Sequence, residues 1–323
     1  ACGAQHLWDL EPNLQVAAIQ RWLDQWGTPS LVLFEGFTGG KPIHPSATQV
    51  LRRAGSYFIY WAIEDPLWTT DVVDATGRLG PYARVSDHIA TTAVECVARY
   101  RSYGISSSVM QFACDPDVHR AVRPVSEHRS DVVLVANYYP GRREWLLDQL
   151  LRPANDVCER RGATLAIYGN GWEHGAPDWL RRALRGPLSY EDLPTVYSSS
   201  SVALGAEQCL NQSDTQSSMR VFEVLGCGTC YLGPDHRAHR ALFRPGEHLF
   251  LTSSAEQTAT ILNQLLESPE ERSRVGAAGR RACVAHHTYG ARASALLQAL
   301  PGKQRFPLSN RGAIDGARRR HPS

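Results

Sequence analysis

Residues 131–168 are DVVLVANYYPGRREWLLDQLLRPANDVCERRGATLAIY. Residues 131–136 and 164–168 are short apolar runs rich in β-branched and aromatic side chains, and residues 143–161 between them form a helix-length amphipathic segment. A strand, a helix and a second strand in this order are typical of a βα unit in a parallel sheet. The segment therefore predicts an α/β fold.

The same alternation extends along the chain in both directions. Further predicted strands are 30–34, 57–63, 82–86, 107–112, 202–205 and 229–232. Further predicted helices are 46–54, 91–103, 193–199, 218–225, 255–266 and 269–285. Each half can thus form a doubly wound, Rossmann-like domain, and we expect ligands at strand carboxyl ends and in a central cleft between the two domains.

The length of 323 residues exceeds the size at which a single core usually splits into two. The polar segment 117–131 has no strand pattern and is the expected linker. This places an N-terminal domain at 1–122 and a C-terminal domain at 123–300. Residues 301–323 are rich in Gly, Pro, Ser and Arg and predict a flexible basic tail.

Composition excludes several classes of protein. No stretch approaches the roughly 18 apolar residues of a membrane helix, and the net charge of +2 with scattered arginines argues against a nucleic-acid surface. The eight cysteines form no paired metal-ligand framework, and no secretory signal is visible. We therefore expect a soluble cytoplasmic protein in which Cys227 and Cys230 are core residues, not a redox or zinc site.

The turn after the first strand quoted above is a candidate anion site. Residues 135–143 lead from that strand through a Gly–Arg turn into a helix. Backbone amides at a helix start attract anions, and Arg142 or Arg143 can add charge-assisted bonds to a diphosphate. The alternative is an ordinary turn with a solvated arginine pair.

A glycine-rich loop follows the second of these strands. Its glycines permit close backbone approach, nearby aromatic side chains could stack on a base or a sugar, and free peptide groups farther along could read a pyrimidine edge. The candidate residues are Gly169, Gly171, Trp172, Leu188 and Tyr190. Neither the G-x-G-x-x-G fingerprint nor a P-loop lysine is present, so nicotinamide and ATP chemistry are not indicated.

Residues 214–228 carry the most specific signal, a serine-rich loop that leads into a helix. Arg220 and Glu223 lie three residues apart and can face one side of this helix. The carboxylate could accept hydrogen bonds from two ribose hydroxyls, and the guanidinium could neutralise a diphosphate. The alternative is a surface ion pair. The loop candidates are Asp214, Thr215 and Ser218.

Several motifs together resemble a known family. The segments YEDLP (190–194), SMRVFEVLGCG (218–228), FRPGE (243–247) and HTYGAR (287–292) occur in the order and spacing of spore-maturation CgeB-like glycosyltransferases. YWAIEDP (60–66) resembles a strand end in the N-terminal domain of that family. The resemblance implies a GT-B fold, with the acceptor held by the N-terminal domain and a nucleotide sugar by a group 1-like C-terminal domain.

The resemblance also implies roles for the candidate residues. Glu223 would bind the donor ribose, and Arg220 with Arg142 or Arg143 would lie near the diphosphate. The residues implied to line the base are Gly169, Gly171 and Leu188. A UDP-sugar is the first candidate donor, and arginines with helix amides could stabilise the leaving diphosphate without a metal or other cofactor. The acceptor could be a small molecule, a glycan or a protein.

One position departs from the family pattern. Related retaining enzymes carry a Glu eight residues before the ribose-binding Glu, where this chain has Thr215. If the reaction inverts the anomeric centre, a base in the N-terminal domain must take the acceptor proton. The candidates for this base are Glu64, Asp65, His88 and Glu35. Two other functions stay open at this point: a silent sugar-nucleotide-binding or coat-associated protein, and a nucleotide-sugar epimerase of the same fold.

Overall fold

The computed structural model describes residues 12–36, 45–63, 85–139, 145–207 and 213–300. These residues form two compact units. The first unit contains the described residues up to 111 together with 293–300, and the second contains 112–292. Within the described ranges, no helix combines the length and the apolar character that crossing a membrane requires.

The first unit is built on a parallel sheet. Its elements are α1 (Pro12–Trp26), β1 (Leu31–Gly36), α2 (Pro45–Arg53), β2 (Tyr57–Ala62), β3 (His88–Thr91), α3 (Val94–Ser102) and β4 (Ser106–Val109). The described strands pair in the order β1-β2-β3-β4, all parallel. Strand β2 is buried from Phe58 to Ala62, which is expected of a parallel strand covered on both faces.

The second unit contains a larger parallel sheet. Its strands are β5 (Ser130–Val135), β6 (Leu165–Tyr168), β7 (Leu184–Gly186), β8 (Ser200–Leu204), β9 (Cys230–Pro234) and β10 (Phe250–Thr252). Its helices are α4 (Arg152–Arg161), α5 (Leu193–Ser198), α6 (Met219–Cys227), α7 (Arg237–Leu242), α8 (Ala255–Glu267) and α9 (Pro269–His286). Helix α10 (Tyr289–Ala299) crosses from the second unit into the residues assigned to the first.

The strand order of this sheet is β10-β9-β8-β5-β6-β7. The chain therefore builds outward from β5 in one direction through β6 and β7, then returns to place β8 on the other side of β5. Such a reversal is a topological switch point, where the connections that follow the two central strands, β5 and β8, run in opposite directions. The second unit thus has one edge at which the fold itself favours ligand binding.

The βα unit predicted from residues 131–168 is present. A π-helical turn (Leu146–Leu151) runs into α4, and Leu150, Leu151 and Val157 are fully buried in one core with residues of β5 and β6. Helix α4 ends at Gly162, whose φ of 63° is the left-handed conformation that glycine adopts without penalty. This stop returns the chain to β6 within three residues.

Two expectations from the sequence require correction. Residues 82–86 do not form the predicted strand as far as the structure describes them, because the strand begins at His88. The expected linker 117–131 belongs to the second unit, which begins at residue 112. The N–H groups of Val122 and Val125 donate to the hydroxyls of Ser198 and Ser199, each at 3.0 Å, and these bonds hold the segment against the sheet.

Cys227 and Cys230 end α6 and begin β9, and each is only 2% exposed. Burial raises the pKa of both thiols to about 12. A thiol with a raised pKa is a poor nucleophile and a poor metal ligand. Their interpretation as core residues is confirmed.

Candidate functional site

The carboxyl ends of β5 and β8 lie side by side at the switch point of the second unit. In open parallel α/β sheets, ligands bind in the crevice that forms there. Residues 136–139 continue from β5, and residues 205–207 continue from β8. The candidate site is built from these two segments, the loop after β6 and the loop that precedes α6.

The loop after β6 packs directly on the turn after β5. A Cβ on Gly169 would lie 2.1 Å from the carbonyl oxygen of Ala136, and a Cβ on Gly171 would lie 2.7 Å from that of Tyr138. Both glycines have positive φ, 141° and 85°. The amide of Tyr138 donates to Asn170 O at 2.8 Å. The two glycines are therefore required for the close approach of the loop after β6 to the turn after β5. Their contact with the nucleobase of a ligand stays a prediction.

Trp172 is a core residue, which corrects the expectation that its ring is available to a ligand. It is 3% exposed and belongs to the main apolar cluster of the unit. Its indole N–H donates to the Ala136 carbonyl at 2.6 Å, and its ring lies against Tyr138 with centroids 4.8 Å apart. The side chain of Trp172 therefore packs under the turn after β5, on the side of the apolar core.

The loop after β7 presents Tyr190 at the surface. Tyr190 is 57% exposed, and its Oη lies 2.9 Å from Nε2 of His119. Burial of the hydroxyl and the nearby carboxylate of Glu223 both raise the pKa of Tyr190. Tyr190 and Glu223 therefore belong to one locality, and the half-buried Leu188 precedes them in the same loop.

The serine-rich loop 213–218 is ordered by its own side chains. The hydroxyl oxygen of Ser213 accepts hydrogen bonds from the amides of Thr215 (3.2 Å) and Gln216 (3.0 Å). Asp214 is exposed, with a carboxylate oxygen 3.8 Å from a guanidinium nitrogen of Arg237. Asp214 is therefore free to face solvent or a ligand, whereas Thr215 is half-buried.

Arg220 and Glu223 act on one another from successive turns of α6. Glu223 is 6% exposed, and its carboxylate accepts no hydrogen bond from the described residues. Burial raises its pKa, and the positive charge of Arg220 offsets part of this rise. Arg220 donates from Nη1 to Ala206 O at 2.9 Å, which fixes the guanidinium beside the strand end of β8. The alternative of a solvated surface pair is thereby excluded.

The surroundings of Arg220 retain further hydrogen-bonding capacity. Its Nε is buried and makes no hydrogen bond within the described part of the chain. The fully buried Tyr197 has a pKa raised by burial and by Glu223, and lowered in part by Arg220. A buried donor without an acceptor is unfavourable, so this arrangement suits an anionic ligand at the guanidinium.

Sequence reasoning missed two residues at this edge, Glu207 and His239. Glu207 accepts hydrogen bonds from the amide of Ser218 (2.8 Å), the hydroxyl of Ser218 (2.9 Å) and Nε2 of His239 (3.0 Å). Their side chains are 3% and 0% exposed. A lone acid after a strand and a lone histidine in a short helix have no diagnostic spacing. Only the tertiary contact identifies them.

Several solved structures share this architecture. Sucrose-phosphate synthase from Thermosynechococcus elongatus matches with a TM-score of 0.58 at 14% identity, over 92% of this chain and 79% of that chain. Anabaena HepE in complex with UDP and glucose matches with a TM-score of 0.57 at 11% identity, over 88% and 80%. A variant of Staphylococcus aureus TarM in complex with UDP matches with a TM-score of 0.57 at 12% identity, over 88% of this chain but only 58% of that chain.

The sequence of the second unit matches a family model as well. Residues 142–298 match the family described as glycosyl transferase-like. The chain has the GT-B fold, and most of its second unit matches the glycosyl transferase-like family. The matched region includes α6 with Arg220 and Glu223. Comparison with curated proteins gives no match.

His88 begins β3, inside the sheet of the first unit, and does not lie in a loop between the predicted strand 82–86 and the predicted helix 91–103. It is 1% exposed, and its two ring nitrogens lie 2.9 Å and 2.8 Å from the hydroxyls of Ser106 and Ser108. Burial, with a smaller contribution from Arg101, lowers the pKa of His88 to about 4. Both nitrogens are occupied by neighbouring strand residues, so the structure does not support His88 as the catalytic base.

The remaining candidates for the catalytic base and for the diphosphate site fall outside the described residues. These are Glu64, Asp65, Arg142 and Arg143, together with the side chain of Glu35. Among the residues that are described, no group of three or more His, Cys, Asp and Glu side chains is arranged to hold a metal ion.

Proposed function

We propose that the second unit binds a nucleotide-diphosphate sugar, with a UDP-sugar as the first candidate, and that the enzyme transfers the sugar to an acceptor. One observation carries this proposal: the buried carboxylate of Glu223 accepts no hydrogen bond from the described residues and lies near the positive charge of Arg220, whose guanidinium is bonded to the chain just after β8. UDP in the structures of HepE and TarM supports the choice of donor.

Glu223 is suited to the ribose of the donor. A carboxylate has two acceptor oxygens, which match the two adjacent hydroxyls of a ribose, and hydrogen bonds to a charged acceptor are the stronger kind. Burial increases the value of such bonds, because an unpaired charge in a low-dielectric site is costly. Donor binding would therefore relieve the cost of burying Glu223.

Arg220 is suited to the diphosphate. Its Nη1 is held by Ala206 O, and its Nε is buried without a hydrogen bond within the described residues, so the guanidinium has donor capacity that its protein neighbours leave unused. We include Arg142 or Arg143 as a second cation, because either follows the neighbouring strand β5. Positive groups that are fixed before the reaction can stabilise the leaving diphosphate as its charge develops.

The remaining assignments extend the same proposal. Glu64 or Asp65 is proposed as the catalytic base if the reaction inverts the anomeric centre. The residues proposed to surround the nucleobase and the sugar of the donor are Gly169, Gly171, Leu188 and Tyr190. Asp214, Thr215 and Ser218 are proposed to contact the donor from the adjoining loop. The membership of the CgeB-like subfamily rests on the motifs of residues 190–292. We also propose a cytoplasmic location, because the described cysteines are buried thiols without a disulfide.

The proposal is tested by a thermal-shift screen with UDP-, GDP-, dTDP- and CMP-sugars. A ligand present at about one hundred times its Kd stabilises the folded state by about 2.7 kcal/mol, which corresponds to a rise in Tm of about 5 °C or more. Glu223→Gln is expected to lose this shift. Glu159→Gln, which alters an exposed carboxylate on α4, is the matched control and should keep it. No shift with any sugar nucleotide at millimolar concentration would sink the proposal.

A further inference from the structure

The buried carboxylate of Glu207 stands at the start of the helix that carries Arg220 and Glu223. Its Oε2 accepts from the amide of Ser218, and its Oε1 accepts from the hydroxyl of Ser218 and from Nε2 of His239. Ser218 is the N-cap residue of α6, yet its hydroxyl makes no cap bond to its own helix. Glu207 therefore restrains the N-cap residue itself, through its amide and its hydroxyl, and not the amides of the first helical turn.

The hydrogen bonds determine the charges of this pair. Nδ1 of His239 lies 3.2 Å from the carbonyl oxygen of Pro234, which can only accept, so Nδ1 carries a proton. Burial alone would raise the pKa of Glu207, but His239 and the two Ser218 donors outweigh it and lower the pKa below its ordinary value. One proton therefore lies between Nε2 of His239 and Oε1 of Glu207, which are 3.0 Å apart, and the buried pair carries no net charge.

The same strand end fixes two consecutive features of the candidate donor site. Ala206 O accepts from Arg220, and the next residue, Glu207, accepts from Ser218. The other end of the serine-rich loop is held in a similar way, because Nε2 of His236 lies 2.7 Å from Ser213 O. The rings of His236 and His239 are 5.8 Å apart. His236 therefore anchors one end of the loop 213–218, and Glu207, which is bonded to His239, anchors the other end.

An unbalanced carboxylate at this place would oppose an anionic ligand. The N-terminus of a helix carries a partial positive charge that favours phosphate, and a buried negative charge there would cancel it. Burying a charge is also costly unless a partner compensates it. The presence of a fully buried histidine on the carboxylate removes both problems while leaving the geometric restraint in place.

We propose that Glu207, balanced by His239, is a positioning residue that fixes Ser218 and the start of α6 so that Arg220 can receive the donor diphosphate. This inference rests on the proposed function and deepens it. It assigns no contact between Glu207 and the sugar nucleotide.

The test compares nucleoside diphosphates with their nucleosides in the full chain. UDP, GDP and dTDP are each titrated calorimetrically beside uridine, guanosine and thymidine, below the melting temperature of every variant. His239→Gln leaves the carboxylate unbalanced and should weaken diphosphate binding at least about tenfold while nucleoside binding is unchanged. Glu207→Gln combined with His239→Gln restores neutrality and should recover affinity to within about threefold of the wild type.

A second variant covers the possibility that His239→Gln does not fold. Glu207→Asp keeps the charge but withdraws the carboxylate from Ser218, and it should also weaken diphosphate binding about tenfold without affecting the nucleoside. Asp235→Asn is the control, because it breaks the neighbouring and more exposed pair of Asp235 with Arg240 on α7 and should leave both affinities unchanged.

The outcomes separate this inference from the proposed function. Equal diphosphate affinity in the wild type and in Glu207→Asp would overturn the positioning role while leaving the donor site intact. The same holds if the double variant binds as weakly as His239→Gln, since the loss would then be structural and not one of charge. Absence of diphosphate binding by the wild type itself would overturn both.

Discussion

The guanidinium of Arg220 partly offsets the rise in pKa that burial imposes on the carboxylate of Glu223, three residues later on α6. A carboxyl whose folded pKa lies above its unfolded value contributes stability below the unfolded pKa. That contribution is lost as the pH rises through the folded pKa. At neutral pH, the buried carboxyl of Glu223 therefore makes the ligand-free protein less stable than it would be without this rise in pKa.

Glu223→Gln should consequently be more heat-stable than the wild type at pH 7–8. If the substitution removes about 1 kcal/mol of the free-energy cost of burying the carboxyl, the Tm should rise by about 2–4 °C. The difference should shrink as the pH falls toward the ordinary Glu pKa of about 4.3 and vanish at about pH 3, where the wild-type carboxyl is protonated in both states. Calorimetry of both proteins across this range checks the prediction, and a variant that is less stable at every pH would contradict it.

Because the pKa of the buried His88 is lowered, we expect the folded protein to lose stability in acid. The folded pKa of His88, about 4, lies below the ordinary value of about 6.5, so its contribution is complete above pH 6.5 and is lost as the pH falls toward 4. The full effect of one such group is about 3 kcal/mol. The free energy of unfolding should differ less between pH 7 and pH 4.5 for His88→Asn than for the wild type. His174→Asn, with a side chain 85% exposed, should retain the wild-type difference.

The fit of Tyr231 between two glycines gives a third prediction. A Cβ on Gly205 would lie 2.0 Å from Tyr231 Oη, and a Cβ on Gly233 would lie 2.4 Å from it. Gly205→Ala should destabilise the protein by about 2 kcal/mol or more, since the buried ring has little room to move. Chemical denaturation measures this loss.

Tyr231→Phe supplies the control for that clash. The hydroxyl is fully buried and makes no hydrogen bond within the described residues, so its removal should change stability by less than about 1 kcal/mol. Combined with Gly205→Ala, it should recover part of the loss, because the ring carbon Cζ would still lie 2.3 Å from the new Cβ. Strict additivity of the two changes would argue against direct contact.

Substitution of Trp172 distinguishes a role in the core from a role in ligand binding. Trp172→Phe removes the bond to Ala136 O and part of the buried ring, and should cost about 1–3 kcal/mol of stability. The Kd for a sugar nucleotide, measured on the folded protein, should change by less than about threefold. A weakened Kd with an unchanged Tm would instead restore Trp172 as a ligand contact.

The alternation of apolar runs with amphipathic segments was sufficient to predict the strands of the second unit that contain three or more consecutive apolar residues. The observed β5 and β6 begin within one residue of the predicted starts. Strand β7 was not predictable in this way, because its three residues contain only one apolar side chain, Leu184. The prediction of a strand at 82–86 was wrong, because the buried strand of that region begins at His88, a polar residue that the apolar pattern did not include.

The sequence by itself determined the parallel α/β architecture and the placement of Arg220 and Glu223 on one side of a helix, because both depend on spacing along the chain. Only the tertiary structure decided which polar groups meet. Glu207, Ser218 and His239 come from three separate elements, and Trp172 and His88 lie inside cores that no local pattern reveals. Hydrogen bonding and burial depend on neighbours distant in sequence, whereas periodicity reports only the face of one element.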